Sequence, residues 1–483
     1  MYKHMFLDWE NAPSIALSSW ALSVYNGAPQ NTASDDYNYN GIAGGDNWMA
    51  TSYFNRGQGV WSIPGAASND NINVMSGGPV LVSNNPLNAF PLSDVNNGQN
   101  LSNSIPPSDQ APAYTLTAAY YFDQPGSGRS TTQNIAAVQQ AITTYGAVAT
   151  YMYAGGYTVN RHDVQVFQWD AAGGYEYSYD PSANASDHVV TIIGWNNNIT
   201  LPGQSSPGAW IVQNSWGAWG GTSSSNDGTF YAPYTDPYIG QQGVTAYKAI
   251  PAGKYSPIVL QNELGPTWAA GNWGAGNGDN SNDVASGMGI ISSTNSSSIA
   301  LSKLTVSTQS LMIGVGLYSL DSQLGNTKSV TVNFYDGFTV FHGIGSPGDL
   351  LESQSFTFAQ AGYSVFDLNT PLSLTPGEIL SIEVNYNGSD IPYVWQTASN
   401  GGTNAPTDLT YFQDTNGNWV DFATYTQGST YDDQYPGIFS VKGLMAVPEP
   451  SAYLLLGLGL VVAICIHRKR NSLEIDSNTA REG

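Results

Sequence analysis

Two segments of the chain carry side chains that could together take a proton from a nucleophile. His188 opens an apolar run that ends in Gly-Trp (D-H-V-V-T-I-I-G-W, residues 187–195), and Asn214 closes a second run (G-A-W-I-V-Q-N-S-W-G, residues 208–217). An imidazole acts as a general base when a neighbouring amide holds it in one tautomer, by accepting a hydrogen bond from one ring nitrogen. Trp216 would shield that hydrogen bond from water and strengthen it. We therefore expect the side chains of His188 and Asn214 to be in contact.

One helix and several strands should position these side chains. Residues 131–145 repeat apolar side chains at three- and four-residue steps, and Gly146 follows as a helix-ending residue. A short helix is also expected at residues 48–55. The pattern of the first half indicates a mixed α+β unit, with a polar loop at residues 196–207. Its expected strands are residues 147–153, 164–169, 189–195 and 210–213.

The second half of the chain has a different pattern. From about residue 256, short alternating segments recur at intervals near ten residues, separated by Gly, Asn, Asp and Pro. Strands at that spacing, with no helical period between them, are typical of a β-sandwich or jelly roll. Residues 251–257 are the expected link between the two halves. The expected strands are residues 298–306, 311–318, 329–335, 362–368 and 379–386.

Composition excludes several classes of function. The formal net charge is −23, which argues against binding nucleic acid or an anionic membrane surface through electrostatic attraction. The single cysteine, Cys465, rules out an internal disulfide and a cysteine-based zinc site. It also excludes a cysteine nucleophile from the folded body of the chain as written. We expect no metal and no cofactor.

The histidine and asparagine segments resemble the papain family of cysteine peptidases. The H-x-x-x-x-x-G-W run and the W-I-V-x-N-S-W-G run match the family's histidine and asparagine positions. This resemblance implies that His188 is the base, that Asn214 orients it and that Trp216 covers the pair. It also implies that Gly44 and Gly45 line the substrate cleft. The match covers roughly residues 30–250.

The second half resembles the lectin-like β domain that follows many bacterial papain-type peptidases. Residues 331–336 (T-V-N-F-Y-D), 361–368 (A-G-Y-S-V-F-D-L) and 374–386 (L-T-P-G-E-I-L-S-I-E-V-N-Y) carry the resemblance. The two resemblances imply a papain-like domain at residues 1–250 and a lectin-like β-sandwich at residues 256–446.

The C-terminal segment resembles the PEP-CTERM sorting signal of Gram-negative bacteria. Val447-Pro448-Glu449-Pro450 precedes an apolar run at residues 452–466 and a basic cluster, H-R-K-R, at residues 467–470. The resemblance implies export, recognition by an exosortase-type enzyme and removal of the tail. We expect residues 447–470 to be a sorting and anchor segment whose apolar run forms a short transmembrane helix with its basic end in the cytoplasm, followed by a polar tail at residues 471–483. The expected fold class is thus an α+β papain-like domain, an all-β lectin-like sandwich and a C-terminal transmembrane helix.

The family's nucleophilic cysteine is absent from the chain, and three explanations stay open. The chain has no visible signal peptide and begins abruptly, so a Cys-Trp helix start could have been lost with a true N-terminus. Alternatively, Ser19 in Ser18-Ser19-Trp20-Ala21 could occupy the cysteine position, although a His–Asn pair activates a serine poorly. The third explanation is a natural pseudo-enzyme. In each case this chain should be nearly inert as a peptidase.

The sequence therefore predicts a papain-like, cysteine-type peptidase of the bacterial membrane, cell surface or extracellular matrix. Its partners would be a peptide or protein substrate and an exosortase-type processing enzyme, with no nucleic acid. A carbohydrate or matrix ligand is an option for the β domain. The alternative function is a non-catalytic surface adhesin or matrix-binding protein with a relic papain domain.

Overall fold

The computed structural model describes part of the 483-residue chain. Trp216, Gly44, Gly45, Ser19 and the C-terminal tail, to which the sequence assigns roles, lie outside it. Seven single positions are described: Asn47, Ala50, Thr51, Phe54, Asn55, Gly173 and Ser186. The described ranges are residues 114–122, 131–153, 167–170, 175–178, 188–214, 229–258, 286–320, 327–396, 407–424 and 437–446.

The fold class expected from the sequence is wrong, because the described residues are mostly β. They contain one complete helix, α1 (Thr131–Tyr145), and 21 strands. Outside α1, the apolar runs of the first half are rich in β-branched and aromatic residues and pair as sheet strands. An α+β domain followed by a separate all-β sandwich is therefore not the arrangement found.

The expected transmembrane helix is not found either. No helix among the described residues is long and apolar enough to cross a membrane. The apolar run at residues 452–466, to which that helix is assigned, lies outside the described residues.

The first half contributes nine strands and α1. The helix was predicted with these bounds and is confirmed, and it ends where Gly146, at φ 87°, donates a backbone hydrogen bond to Ile142. The strands are β1 (Tyr114–Tyr121), β2 (Val148–Met152), β3 (Phe167–Asp170), β4 (Tyr175–Ser178), β5 (His188–Asn196), β6 (Ala209–Gln213), β7 (Thr229–Pro233), β8 (Thr245–Pro251) and β9 (Tyr255–Ile258).

The second half is described as strands and connecting turns. All five strands predicted for this half are present, and β14 joins β13 in a long hairpin. The strands are β10 (Ser286–Ile291), β11 (Ser296–Thr305), β12 (Ser310–Ser319), β13 (Lys328–Phe341), β14 (Ile344–Phe358), β15 (Gly362–Leu374), β16 (Ile379–Asn385), β17 (Ile391–Gln396), β18 (Thr410–Asp414), β19 (Trp419–Asp421), β20 (Gly437–Ile438) and β21 (Val441–Ala446).

One 12-stranded sheet contains strands from both halves of the chain. Its order is β3-β4-β7-β6-β5-β2-β8-β1-β15-β12-β21-β9, so that β1 of the first half pairs directly with β15 of the second. The expected link at residues 251–257 is largely strand: a turn at residues 252–254 joins β8 to β9, which pairs with β21 at the far edge. The other described strands form two smaller sheets, β14-β13-β16-β11-β18-β19 and β10-β17-β20.

The two largest apolar cores among the described residues support these sheets. One lies between α1 and the strands of the first half, and includes Val138 of α1, Val190 of β5 and Val212 of β6. The other lies between the six-stranded sheet and β12, β15 and β21, where Phe334 and Val315 are completely buried. The first core holds the strands that carry His188 and Asn214.

Candidate active site

His188 and Asn214 lie at neighbouring positions on one face of the 12-stranded sheet. His188 is the first residue of β5, and Asn214 directly follows β6. The antiparallel register pairs Ile192 with Val212, so Asn214 continues the strand opposite Val190. Side chains alternate between the faces of a strand, which places His188, Val190 and Asn214 on the same face. The two segments therefore meet because their apolar runs pair in this register.

A hydrogen bond joins the two side chains. The Nε2 atom of His188 lies 2.9 Å from the Oδ1 atom of Asn214, so the predicted side-chain contact is confirmed. An amide oxygen only accepts hydrogen bonds, so the imidazole proton lies on Nε2. Asn214 is buried, with 3% of its surface exposed, whereas His188 is half-buried. The pair therefore has a defined tautomer and an acceptor that is largely removed from water.

The strand that carries His188 is held on both sides. On one side β5 pairs with β2, where Met152 lies opposite His188, and on the other it pairs with β6. Val190 and Ile192 of β5 are completely buried against the core that contains α1. Because both edges and one face of β5 are fixed, the position of the imidazole is set by the sheet rather than by a loop.

The loop between β5 and β6 is polar and mostly exposed, as the sequence predicts. Two contacts hold the loop against the fold. Leu201 packs against Tyr177 and Ala209, and the hydroxyl of Tyr234 donates to Oδ1 of Asn197 at 2.6 Å. Burial raises the pKa of Tyr234, although a hydrogen bond from Gln139 of α1 opposes this rise, so the hydroxyl remains a donor.

Thr150 is a supporting residue that the sequence reasoning missed. It lies on β2, and its Oγ1 accepts from the backbone nitrogen of Gly240 at 2.9 Å and donates to the carbonyl of Gln242 at 3.0 Å. These bonds fix the turn between β7 and β8 against the strand next to β5. The available signal was a threonine within an otherwise apolar run, A-V-A-T-Y-M.

Asn47 is a second residue that the sequence reasoning missed. It is buried, and its side chain donates to Gly243 and to the Oγ1 atom of Thr245 on β8.

Gly44 and Gly45, which precede Asn47 in the sequence, are outside the described residues, as is Trp216. Their expected roles therefore stay predictions. Among the positions described, no three His, Cys, Asp or Glu side chains are grouped to hold a metal ion.

Comparisons with known proteins were made with both sequence and structure. Residues 87–227 match the family model of the papain family cysteine proteases, and residues 446–470 match that of the PEP-CTERM protein-sorting motif. No curated protein sequence matches the chain significantly.

Solved structures of one protease share the fold. The clostridial cysteine protease Cwp84 after propeptide cleavage matches with a TM-score of 0.58 at 17% identity, over 92% of both chains. The cysteine protease and lectin-like domains of Cwp84, a surface layer associated protein of Clostridium difficile, match with a TM-score of 0.55 at 16% identity. That match covers 92% of this chain and 81% of the other. The chain therefore carries one segment that matches the papain family cysteine protease model and another that matches the PEP-CTERM protein-sorting motif, in a fold that it shares with a protease that has a lectin-like domain.

Proposed function

We propose that the chain is the body of a papain-like, cysteine-type peptidase that acts on peptides or proteins at the bacterial surface. The observation that carries this proposal is the 2.9 Å hydrogen bond between His188 Nε2 and Asn214 Oδ1, both of which lie in the segment that the papain family model covers. In this assignment residues 1–250 form the peptidase unit and residues 256–446 the lectin-like unit. Residues 447–470 are the sorting segment and residues 471–483 a polar tail.

The proposed chemistry is acyl transfer through a cysteine thiolate. With the imidazole proton on Nε2, Nδ1 of His188 is the nitrogen that takes the proton from the thiol. The sulfur bonds to the peptide carbonyl carbon, the C–N bond breaks, and the imidazolium returns its proton to the leaving amine. Water then hydrolyses the thioester with His188 again as the base. Asn214 holds the ring throughout, Trp216 covers the pair, and Gly44 and Gly45 line the cleft.

The nucleophile is the part of this chemistry that the 483 residues do not contain. Their one cysteine is Cys465, which belongs to the segment matched by the sorting motif. We therefore expect the 483-residue chain to hydrolyse peptides at a negligible rate. The same observation favours a second candidate function, a non-catalytic surface adhesin whose lectin-like unit binds a carbohydrate or matrix ligand.

The sorting motif supports export and processing of the protein. We propose that an exosortase-type enzyme recognises residues 446–470 and that the acidic body is delivered to the cell surface or extracellular matrix. A surface location agrees with the net charge of −23 and with a polarity that comes mainly from uncharged side chains. It is also the location of the solved relative, which is associated with a surface layer.

An activity-probe experiment separates the two candidate functions. The extended chain, defined as the product of the longest reading frame that contains these 483 residues, is compared with the 483-residue chain. We expect a peptidyl epoxide to label the extended chain but not the shorter one. We expect His188→Ala to abolish both labelling and hydrolysis of a casein substrate. An extended chain that contains a new Cys-Trp segment but is neither labelled nor active would refute the peptidase proposal and favour the adhesin.

A further inference from the structure

The two halves of the chain are joined by backbone pairing rather than by a flexible link. At the junction of β1 and β15, Ala118 pairs with Ser364 and Tyr120 with Gly362. The backbone nitrogen of Tyr121 also donates to the carbonyl of Ala361 at 2.8 Å. Strand β1 therefore has one neighbour from each half, β8 and β15.

Gly362 permits the close approach of the two strands at this junction. Its φ of 130° is a conformation that L side chains rarely adopt. A Cβ atom added there would lie 1.9 Å from the carbonyl oxygen of Ala119 on β1, which is backbone and cannot move aside. Any other residue at position 362 must therefore push β15 away from β1.

A buried row of polar side chains makes a second connection between the halves. Asn47, Thr51 and Asn55, with 4%, 0% and 3% of their surface exposed, lie four residues apart, the spacing of one helix face. We call these three residues the polar row. The Oγ1 of Thr51 donates to the carbonyl of Asn47 at 2.7 Å, and the hydroxyl of Tyr121 donates to Thr51 at 2.9 Å.

The polar row contacts both halves of the chain. At one end, Asn47 donates to Thr245 of β8 and accepts from the hydroxyl of Tyr247 at 3.0 Å. At the other end, Nδ2 of Asn55 donates to the hydroxyl of Tyr318 of β12 at 2.6 Å. Asn55 and Tyr318 thus form a direct, buried hydrogen bond between the segment that follows Gly45 in sequence and the second half.

Three strand pairings lead from this junction to the candidate active site. Strand β1 pairs with β8, β8 pairs with β2 at Thr245 and Ala149, and β2 pairs with β5 at Met152 and His188. These pairings connect β1 to the histidine across two intervening strands. A displacement of Asn47 acts on the chain two residues from Gly45.

We propose that the second half of the chain is a positioning element of the candidate active site, which it acts on through Gly362, Asn55 and Tyr318. This inference rests on the proposed function, and it makes the second half more than a binding module attached to a peptidase. Gly362, Asn55 and Tyr318 touch no reacting atom and act by placing β1 and the polar row.

The test compares two glycines of the second half. Gly362→Ala disturbs the junction, whereas Gly388→Ala is the matched control, because Gly388 has φ 84° and a Cβ atom added there would meet no atom within 4 Å. Both variants of the extended chain are assayed for peptide hydrolysis at a temperature at which each is fully folded by circular dichroism. We expect at least a tenfold loss of kcat/KM in Gly362→Ala and less than a twofold loss in Gly388→Ala.

Hydrogen exchange of the 483-residue chain provides a readout that does not need activity. In Gly362→Ala, amides of β1, β8 and β2 should exchange faster, whereas in Gly388→Ala faster exchange should stay near the turn after β16. Equal kcat/KM in the two variants of an active extended chain, or faster exchange confined to β15 in Gly362→Ala, would overturn the inference. An inert natural extended chain would instead refute the proposed function, and the exchange experiment would still decide the junction.

A second pair of variants covers the case in which Gly362→Ala does not fold. Tyr318→Phe and Asn55→Ala each remove one partner of the buried hydrogen bond, and the double variant removes both. If the bond positions the site, the double variant should lose no more kcat/KM than the more damaging single variant, because the two residues act together. Losses of kcat/KM that multiply in the double variant would count against the positioning role. So would unchanged kcat/KM in both single variants.

Discussion

The side-chain oxygen of Asn214 accepts the Nε2 proton of His188 at 2.9 Å, although Asn214 lies beyond the last residue of its strand. Replacing it should therefore release the ring without unfolding β6. In the extended chain we expect Asn214→Ala to lower kcat/KM by about 10- to 100-fold, since a hydrogen bond to a charged group contributes about 1.5–3 kcal/mol. Added to His188→Ala, the same change should cause no further loss, because the two residues act as a unit. A further tenfold loss in the double variant would contradict this relationship.

The turn that Thr150 holds should tolerate no side chain at Gly240. Gly240 has φ 74°, and an added Cβ would lie 2.5 Å from Nε1 of the buried Trp210. Gly203 is a matched control, since it has φ 78° with no atom within 4 Å of such a Cβ. We expect Gly203→Ala to lower the free energy of unfolding by about 1–2 kcal/mol, the cost of a left-handed conformation. Gly240→Ala adds overpacking of about 1–3 kcal/mol. Urea unfolding measures the free energy of unfolding of both variants. Equal losses would show that the side chain of Trp210 moves aside at no cost.

Glu383 should make the second half less stable as the pH rises. Burial raises the pKa of Glu383, although hydrogen bonds from Asn333 and Tyr335 oppose this rise, so ionisation costs more in the folded than in the unfolded chain. That cost is absent below the unfolded pKa of about 4.3 and fully present above the raised folded value. We expect Glu383→Gln, which keeps an oxygen for Asn333, to raise the urea midpoint at pH 7 but not at pH 3. A lower midpoint at pH 7 would show that the carboxylate is stabilising.

Asp367 should show the opposite dependence on pH. Burial alone would raise the pKa of Asp367, but the hydrogen bonds from Lys254 and Tyr255 outweigh burial and lower it. A lowered acid pKa stabilises the fold above about pH 4, and this contribution is lost as the pH falls through the folded value. The hydrogen bond to Asp367 also raises the pKa of Lys254. The stabilisation from this pair is therefore lost again when Lys254 deprotonates, above about pH 10.

The expected size of this effect is small. The side chains of Lys254 and Asp367 are 46% and 58% exposed, so solvent screens their attraction. We expect Asp367→Asn to lower the free energy of unfolding by about 0.2–1 kcal/mol at pH 7 and by nothing measurable at pH 2. Asp367→Asn and Glu383→Gln are measured in one series of urea titrations at different pH values. The change in the free energy of unfolding caused by each variant should depend on pH with opposite sign. A stabilising effect of Asp367→Asn at pH 7 would contradict the assignment.

Local patterns explain which parts of the fold could be predicted from the sequence. The apolar period of α1 and the glycine after it specify a helix and its end within one segment. The contact of His188 with Asn214 was also predictable, because two apolar runs joined by a short loop pair as neighbouring strands. In each case the decisive interactions lie within about 30 residues of one another in the chain.

Long-range pairing explains what could not be predicted. β14 contains Pro347 and Gly348, which are turn signals, yet it forms a strand because it is the edge of its sheet, where a proline needs no partner for its missing N–H. The pairing of Tyr120 with Gly362 joins segments on opposite sides of the expected link, and no local pattern specifies it. Thr51 and Asn55 of the polar row lie in the short helix expected at residues 48–55, but the buried contacts of the row with β8 and β12 depend on residues far along the chain.

Processing at the sorting motif should leave a mature protein that ends near Pro450. Pro448 and Pro450 fix their own φ angles and disfavour helix at the preceding residues, so the sequence predicts an extended Pro-Glu-Pro segment for a processing enzyme to recognise. In the native host, mass spectrometry of the exported protein should therefore recover peptides up to this segment and none beyond Arg470. A variant with Pro448→Ala and Pro450→Ala should keep its tail and stay with the cell, whereas Ser451→Ala, next to the motif, should be processed normally. Intact tail peptides in the exported natural protein would show that residues 446–470 do not serve as a removable sorting signal.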